Sequence, residues 1–182
     1  MKLTLDACVL YPTVMREVLM GAAEAGFFQP LWSPRILEEW ARAAARIAPG
    51  EEAVARGEIA MLQARHPRAS VTPPDGLQQR LWLPDDNDIH VLAAAIAGHA
   101  DGIVTMNAKD FPRNILAEEG LTRADPDTLL LGFYEADPDR MARVAQTVLQ
   151  EARRLSGQDW TLRDLMKKAR LPRLGKAQQA RT

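Results

Sequence analysis

The chain has 182 residues, of which 47% are hydrophobic and 26% are charged. That composition is ordinary for a globular protein and excludes a disordered chain, a collagen-like chain and a disulfide-rich scaffold. The longest strictly apolar run, residues 91–97, is far shorter than the roughly 18 residues of a membrane span, so no membrane partner is expected.

Cysteine content and charge distribution add two expectations. The single cysteine, Cys8, excludes an intrachain disulfide and favours the reducing cytoplasm, and the first residues do not resemble a secretory signal. From Arg153 to the C-terminus, nine Lys and Arg face two acids, a net charge of +7 that leaves −8 for the first 152 residues, since the whole chain carries −1. An acidic body and a basic tail indicate separate roles.

Short apolar runs alternate with helical patterns in the first two thirds of the chain. The predicted strands cover residues 2–5, 27–32, 69–72, 102–106 and 121–123. The predicted helices cover about residues 13–25, 34–47, 51–65, 88–99, 126–135, 138–155 and 161–170. Such alternation predicts an α/β fold with a parallel sheet of four to five strands.

Two domains are predicted from the same pattern. Residues 1–125 contain all the predicted strands, whereas residues 126–182 are entirely helical and carry the basic tail. The segment 153–173 has apolar positions at helical spacing, which predicts a helix with one packed face. Its charge is explained equally by a solvated face and by contact with RNA or an acidic protein segment. The last dozen residues are expected to fray.

Acidic residues follow the predicted carboxyl ends of the strands. Four segments carry them: Asp6, Glu38 with Glu39, Asp85 with Asp86 and Asp88, and Asp110. Ligands bind at the carboxyl edge of a parallel sheet, where these side chains are expected to meet. Clustered carboxylates repel one another unless a cation lies between them. Oxygen ligands suit Mg²⁺ or Mn²⁺, and the chemistry that uses such a site is phosphodiester hydrolysis.

Most of these acids also have an ordinary structural explanation. Asp88 can cap its helix, Glu38 and Glu39 can favour the positive end of a helix dipole, and Asp110 can belong to a turn. Asp6 is the hardest to explain in this way, because a carboxylate within an apolar run is costly to bury without a partner. The combination is more specific than any single residue.

Four segments resemble the motifs of the PIN-domain family of metal-dependent ribonucleases, and most of all the VapC-type toxins of toxin–antitoxin pairs. They are Leu-Asp-Ala-Cys-Val-Leu-Tyr-Pro (5–12), Ser-Pro-Arg-Ile-Leu-Glu-Glu-Trp (33–40), Asp-Asp-Asn-Asp-Ile-His-Val-Leu-Ala-Ala-Ala (85–95) and Val-Thr-Met-Asn-Ala-Lys-Asp-Phe-Pro (104–112). The resemblance covers about residues 1–125. It implies a three-layer α/β/α fold, bound Mg²⁺ or Mn²⁺, an RNA substrate, a cognate antitoxin and a homodimer.

The resemblance also implies roles for individual residues. Its motifs make four acids catalytic: Asp6, Glu39, Asp88 and Asp110. The three aspartates of this set are the implied metal ligands, and the implied supporting residues are Thr105, Asn107 and Asp85. Glu39 is chosen over Glu38 because the family's second acid usually precedes an apolar residue. Three cations flank the predicted site and are candidates for binding RNA phosphates: Arg35, Lys109 and Arg113.

Two residues depart from the family pattern. Cys8 stands where the family often has a small polar residue, so a supporting hydrogen bond is expected to be missing. Asn107 stands where many relatives have aspartate, so any second metal position is expected to be weak. Both departures favour an alternative, a degenerate PIN scaffold that binds RNA or protein without cleaving it. A haloacid-dehalogenase-like phosphatase is a further alternative, although Cys8 occupies the place of its second acid.

The aromatic and histidine residues are predicted to be structural. Trp32, Trp40, Trp82 and Trp160 are expected to pack in the core or an interface rather than stack on bases. His90 lies on the helix that follows Asp88, and we expect it to be packed or hydrogen-bonded rather than catalytic.

Overall fold

The computed structural model describes residues 1–180, which form four β-strands and ten α-helices. The strands are β1 (Lys2–Leu5), β2 (Gln29–Leu31), β3 (Gly102–Val104) and β4 (Thr122–Ala124). The helices are α1 (Ala7–Leu10), α2 (Thr13–Glu24), α3 (Pro34–Ala45), α4 (Glu51–Arg65), α5 (Ile89–Ala97), α6 (Arg113–Glu118), α7 (Pro126–Ala136), α8 (Pro138–Ser156), α9 (Leu162–Lys168) and α10 (Pro172–Gln179). Within residues 1–180, every helix is too short or too polar to cross a membrane.

The chain divides into two compact units. The first comprises Met1–Tyr11 and Gln29–Ala124, and the second comprises Pro12–Phe28 and the chain from Asp125 onwards. Arg181, one of the nine basic residues counted above, lies outside the described residues. The predicted division of function between residues 1–125 and 126–182 stays a prediction, because compactness alone does not assign a role to either part.

The first unit contains a parallel sheet with the strand order β2-β1-β3-β4. Its two central strands, β1 and β3, are almost entirely buried, as expected for a parallel sheet covered on both faces. The predicted α/β class is confirmed, with four strands. The predicted strand at 69–72 is wrong: only Ser70 pairs, through a single bridge to Trp32. Pro73 and Pro74 follow at once and have no N–H to extend a ladder.

Helix starts in the first unit follow local capping chemistry. Ser33 Oγ accepts a hydrogen bond from Ile36 N (3.2 Å), which starts α3 where the sequence predicts. Residues Asp86–Asp88 form one 3₁₀ turn before α5, so α5 begins one residue later than predicted. The single-turn helix α1 and the six-residue α6 were not predicted, because segments this short show no helical periodicity.

Among the described residues of the second unit, helices are the only regular structure, and they include α10, a helix that the sequence analysis missed. The prediction that the last dozen residues fray is wrong for residues 172–179, since Leu174 is fully buried and Gln178 nearly so. Asp127, itself buried, accepts hydrogen bonds from Arg173 N (2.9 Å) and Leu174 N (3.0 Å). A carboxylate at the N-terminus of a helix satisfies amides that have no partner within the helix.

Replacing Asp127 by alanine is therefore expected to destabilise the second unit. The change leaves the amides of Arg173 and Leu174 without an acceptor in a poorly hydrated place. Each such loss costs about 1–3 kcal/mol, so we expect the free energy of unfolding to fall by at least about 1 kcal/mol in urea titration. The control is Asp159→Ala, at a side chain that is 96% exposed. Equal stability of the two variants would contradict the capping role.

Candidate metal centre

Three aspartates of the first unit lie together in one acidic cluster. One carboxylate oxygen from each of Asp85, Asp88 and Asp110 lies within 4.8 Å of the others, and all three side chains are half-buried. The 3₁₀ turn Asp86–Asp88 brings two of these side chains close together, because Asp85 precedes that turn and Asp88 ends it. Asp110 follows β3 at the end of a turn that its own amide closes on Asn107 O (3.4 Å).

Hydrogen bonds from two asparagines orient this acidic cluster. Asp85 Oδ1 accepts from both the backbone and the side-chain nitrogen of Asn87, each at 2.9 Å. Asp88 Oδ2 accepts from Asn107 Nδ2 at 3.2 Å. The amide of Asn107 thus acts as a donor to Asp88, a role that an aspartate at the same position does not fill while ionised.

Asp6 is buried at the end of β1 and accepts hydrogen bonds from a hydroxyl group and a thiol group. Thr105 Oγ1 donates to Asp6 Oδ2 at 2.7 Å, and Cys8 Sγ donates to the same oxygen at 3.0 Å. The expectation that Cys8 leaves a supporting hydrogen bond missing is therefore wrong. Burial, followed by the charge of Asp6, raises the pKa of the Cys8 thiol to about 12, which keeps the thiol protonated as a donor.

Backbone amides of the loop after β3 complete this arrangement. Met106 N donates to Cys8 Sγ (3.3 Å), and Asn107 N donates to Thr105 Oγ1 (3.0 Å). The same loop therefore fixes both donors to Asp6 and, through the Asn107 side chain, also fixes Asp88. Asp6 itself is not one of the three acids that lie within 4.8 Å, whereas Asp85, expected only as a supporting residue, is.

Four other acids repel the charge of Asp88. Its pKa is raised from 3.8 to about 6, first by burial and then by the charges of Asp6, Asp85, Asp110 and Glu39. A carboxyl group with such neighbours ionises reluctantly in water and is stabilised when a cation lies among them. The donor set consists of hard carboxylate oxygens, which fits a divalent ion such as Mg²⁺ or Mn²⁺.

The two neighbouring glutamates of α3 have different surroundings. Glu39 Oε1 lies 2.7 Å from Nε2 of the buried His90, and 3.6 Å from Arg35 Nε. Nε2 of His90 makes no hydrogen bond, so its contact with Glu39 is an ion pair only while the imidazole is protonated. Glu38 instead pairs with Arg56 and Arg42, whose hydrogen bonds lower its pKa to about 2. Glu39, and not Glu38, is the glutamate that acts on Asp88.

One contributor to this site was missed in the sequence. Arg123, on β4, donates through Nη1 to the carbonyl oxygens of Ala108 and Phe111, the latter at 3.1 Å. These carbonyls lie on either side of Asp110, so Arg123 fixes the loop that presents it. The only signal in the sequence was a cation within a short predicted strand, which does not indicate its partner.

The three cations that were predicted to bind RNA phosphates are all exposed; they are Arg35, Lys109 and Arg113.

Comparison with known proteins defines the class to which this fold and site belong. A family model of the PIN domain matches residues 2–109, more than half of the chain. The chain therefore belongs to the PIN-domain family, whose members are generally metal-dependent nucleases. The matched residues include Asp6, Glu39, Asp85 and Asp88 and end one residue before Asp110. No curated protein and no solved structure matches the chain.

Proposed function

We propose that this protein is an endoribonuclease that hydrolyses RNA phosphodiester bonds with Mg²⁺ or Mn²⁺ bound at the acidic cluster. The observation that carries the proposal is the approach of Asp85, Asp88 and Asp110 within 4.8 Å, together with the raised pKa of Asp88. Half-buried carboxylates placed this close repel one another and destabilise the folded protein unless a cation is bound among them. The membership of the PIN-domain family supports nuclease chemistry in general.

Under this proposal the acids have separate tasks. Asp85, Asp88 and Asp110 hold the ion, and Asp6 contributes its charge from a position fixed by Thr105 and Cys8. A bound divalent ion supplies Lewis-acid activation of both water and the phosphodiester. Glu39, which is partly exposed, is the residue assigned to accept the proton of the attacking water.

The substrate and the cellular role belong to the same proposal. Arg35, Lys109 and Arg113 are exposed cations on segments that carry site residues, and cations of this kind bind phosphates on either side of a cleaved bond. The resemblance to VapC-type toxins supports a role as the toxin of a toxin–antitoxin pair, with a cognate antitoxin and a homodimer. The single cysteine supports a cytoplasmic location.

The test is cleavage of total RNA by purified protein with Mn²⁺, with EDTA, and by an Asp6→Asn variant. We expect the wild type to cleave with Mn²⁺ and not with EDTA, and Asp6→Asn not to cleave under either condition. The matched control is Glu38→Gln, since Glu38 belongs to a surface network with Arg42 and Arg56 and should be dispensable. Circular dichroism shows whether each variant is folded. Equal cleavage by Asp6→Asn would contradict the assigned site.

The geometry gives less support to the two alternatives. The non-cleaving scaffold was motivated by Cys8 and Asn107, yet both residues donate hydrogen bonds to acids of the site. A phosphatase of the haloacid-dehalogenase type needs an acid near position 8 to protonate a leaving group. A thiol with a pKa of about 12 is a poor acid for that task. RNA binding without cleavage in Mn²⁺ would favour the non-cleaving scaffold. Turnover of a phosphomonoester would favour the phosphatase.

Two substitutions of Cys8 distinguish the effect of its hydrogen bond on RNA cleavage from the effect of its packing. In Cys8→Ala, Asp6 loses one of its two side-chain donors, and we expect cleavage to fall by about 10- to 100-fold, as for other residues that orient metal-site acids. Cys8→Ser keeps a donor and should stay within about threefold of the wild type. Initial rates at several Mn²⁺ concentrations measure both. Loss of activity in both variants to the same extent would show that packing, and not the hydrogen bond, matters.

A further inference from the structure

Trp82 is an exposed aromatic residue close to the acidic cluster. Its side chain is 61% exposed, whereas Trp32 and Trp40 are fully buried. Trp82 was expected to pack in the core or in an interface, and its exposure excludes the core. An exposed indole has a large apolar surface in contact with water. A ligand that covers the ring removes this surface from water and gains binding free energy.

The segment that carries Trp82 is anchored on both sides. Leu81 and Leu83 are buried, and because alternate residues of an extended segment face opposite ways, Trp82 points outward. Just before them, Arg80 makes two hydrogen bonds to the carboxylate of Glu119, at 2.7 and 3.2 Å. The ring is thus presented from a fixed backbone, which lowers the entropic cost of binding a partner.

The position of Trp82 favours contact with a base rather than with a phosphate. Trp82 precedes Asp85 by three residues, so their Cα atoms are at most about 11 Å apart. Asp85 and Asp86 repel phosphate groups on this side of the cluster, whereas the neutral face of an indole accepts any unpaired base by stacking. A polyanion that passes this segment can gain binding energy there through its bases.

We propose that Trp82 is a stacking platform for an unpaired nucleobase of the RNA strand beside the cleaved bond. The inference rests on the proposed nuclease function and deepens it, because it names a side chain that contacts a base of the substrate strand. A protein partner is less favoured, since such an interface needs a contiguous apolar patch of several hundred Å². The exposed residues next to this segment in the chain, Arg80 and Pro84, are not large hydrophobic groups, so the segment itself offers Trp82 as its one exposed large apolar side chain.

The test is fluorescence titration with a single-stranded RNA 12-mer of mixed sequence, once with Ca²⁺ and once with EDTA. We expect the RNA to quench the emission of the wild type and of the control Trp160→Phe. The quench should disappear in Trp82→Phe. Affinity is therefore measured by the fluorescence anisotropy of the same RNA carrying a 5′ fluorescein, and in Trp82→Phe it should stay within about tenfold, because phenylalanine also stacks. In Trp82→Ala we expect binding to weaken about 5- to 150-fold, the usual range for losing one base–aromatic stack. A duplex of the same sequence should quench little.

Several results would overturn the platform. They are unchanged affinity in Trp82→Ala, a quench that survives in Trp82→Phe, and a wild type that binds no single-stranded RNA under either condition. Unchanged RNA binding with a smaller sedimentation coefficient in Trp82→Ala would instead assign Trp82 to a protein interface. Cleavage of total RNA in Mn²⁺ is measured in parallel. Cleavage that persists in Trp82→Ala with unaltered binding removes the platform alone, whereas Trp82-dependent binding without any cleavage removes the nuclease alone.

Discussion

Replacing Asp88 by asparagine is expected to abolish metal-dependent RNA cleavage and, at the same time, to stabilise the metal-free protein. Asp88 is the acid on which the other four act, and its pKa of about 6 measures the repulsion and burial it suffers. The loss of a metal ligand should lower cleavage by more than the 10- to 100-fold typical of residues that merely orient ligands. Asparagine keeps an acceptor for the Asn107 amide, so the local geometry is preserved.

The expected gain in stability follows from the direction of the pKa shift. The pKa of Asp88 is higher in the folded chain than the ordinary value of 3.8, so folding is penalised when this group is ionised. The penalty is absent below about pH 3.8 and complete above about pH 6. Because the side chain is only half-buried, solvent screening reduces it to about 1–2 kcal/mol at pH 7, and Asp88→Asn should recover this amount.

Urea titration of metal-free protein at pH 5 and pH 7 measures this gain. We expect Asp88→Asn to exceed the wild type in free energy of unfolding at pH 7 and by less at pH 5. Glu38→Gln is the matched control and should not be stabilised, because Glu38 has favourable arginine partners. A less stable Asp88→Asn protein at pH 7 would contradict the repulsion inferred at the acidic cluster.

The sequence predicted the parts of this site that depend on strand ends. The buried β1 places Asp6 at its carboxyl end, and the Asp-Asp-Asn-Asp segment places Asp85 and Asp88 before α5. Both follow from short-range patterns, namely an apolar run and a polar turn before a helix. The parallel pairing of β1 with β3 then brings the loop after β3, with Thr105 and Asn107, to the same edge.

Other parts depend on contacts that no local pattern encodes. Asp85, and not Asp6, lies within 4.8 Å of Asp88 and Asp110 because the 3₁₀ turn directs the side chains of Asp85 and Asp88 to the same place. Arg123 holds the loop of Asp110 through carbonyl groups 12 and 15 positions before it in the chain. Helix α10 was missed for a similar reason, since its N-terminus is capped by Asp127, 46 residues earlier. Polar and charged composition suggested fraying, but long-range hydrogen bonds outweighed it.

Metal binding by the acidic cluster is expected to weaken steeply below pH 6. A divalent ion binds the ionised carboxylates, so the proton on Asp88, with its pKa of about 6, competes with the ion. Binding of Mn²⁺ should therefore be about tenfold weaker at pH 5 than at pH 7, since one proton is displaced for each ion bound. Ionisation of Asp88 therefore has opposite effects in the two states. It lowers the stability of the metal-free protein, but it strengthens the binding of Mn²⁺.

Stabilisation by Mn²⁺ gives a direct measure of this competition. At a Mn²⁺ concentration 100 times the dissociation constant found at pH 7, binding adds about 2.7 kcal/mol to the free energy of unfolding. At pH 5 the same concentration is only about ten times the dissociation constant, and the gain falls to about 1.4 kcal/mol. In Asp88→Asn the gain should be small at both pH values, whereas Glu38→Gln should behave as the wild type does. Equal stabilisation of the wild type at pH 5 and pH 7 would show that the ion binds without Asp88, and the roles proposed for the acidic cluster would then be wrong.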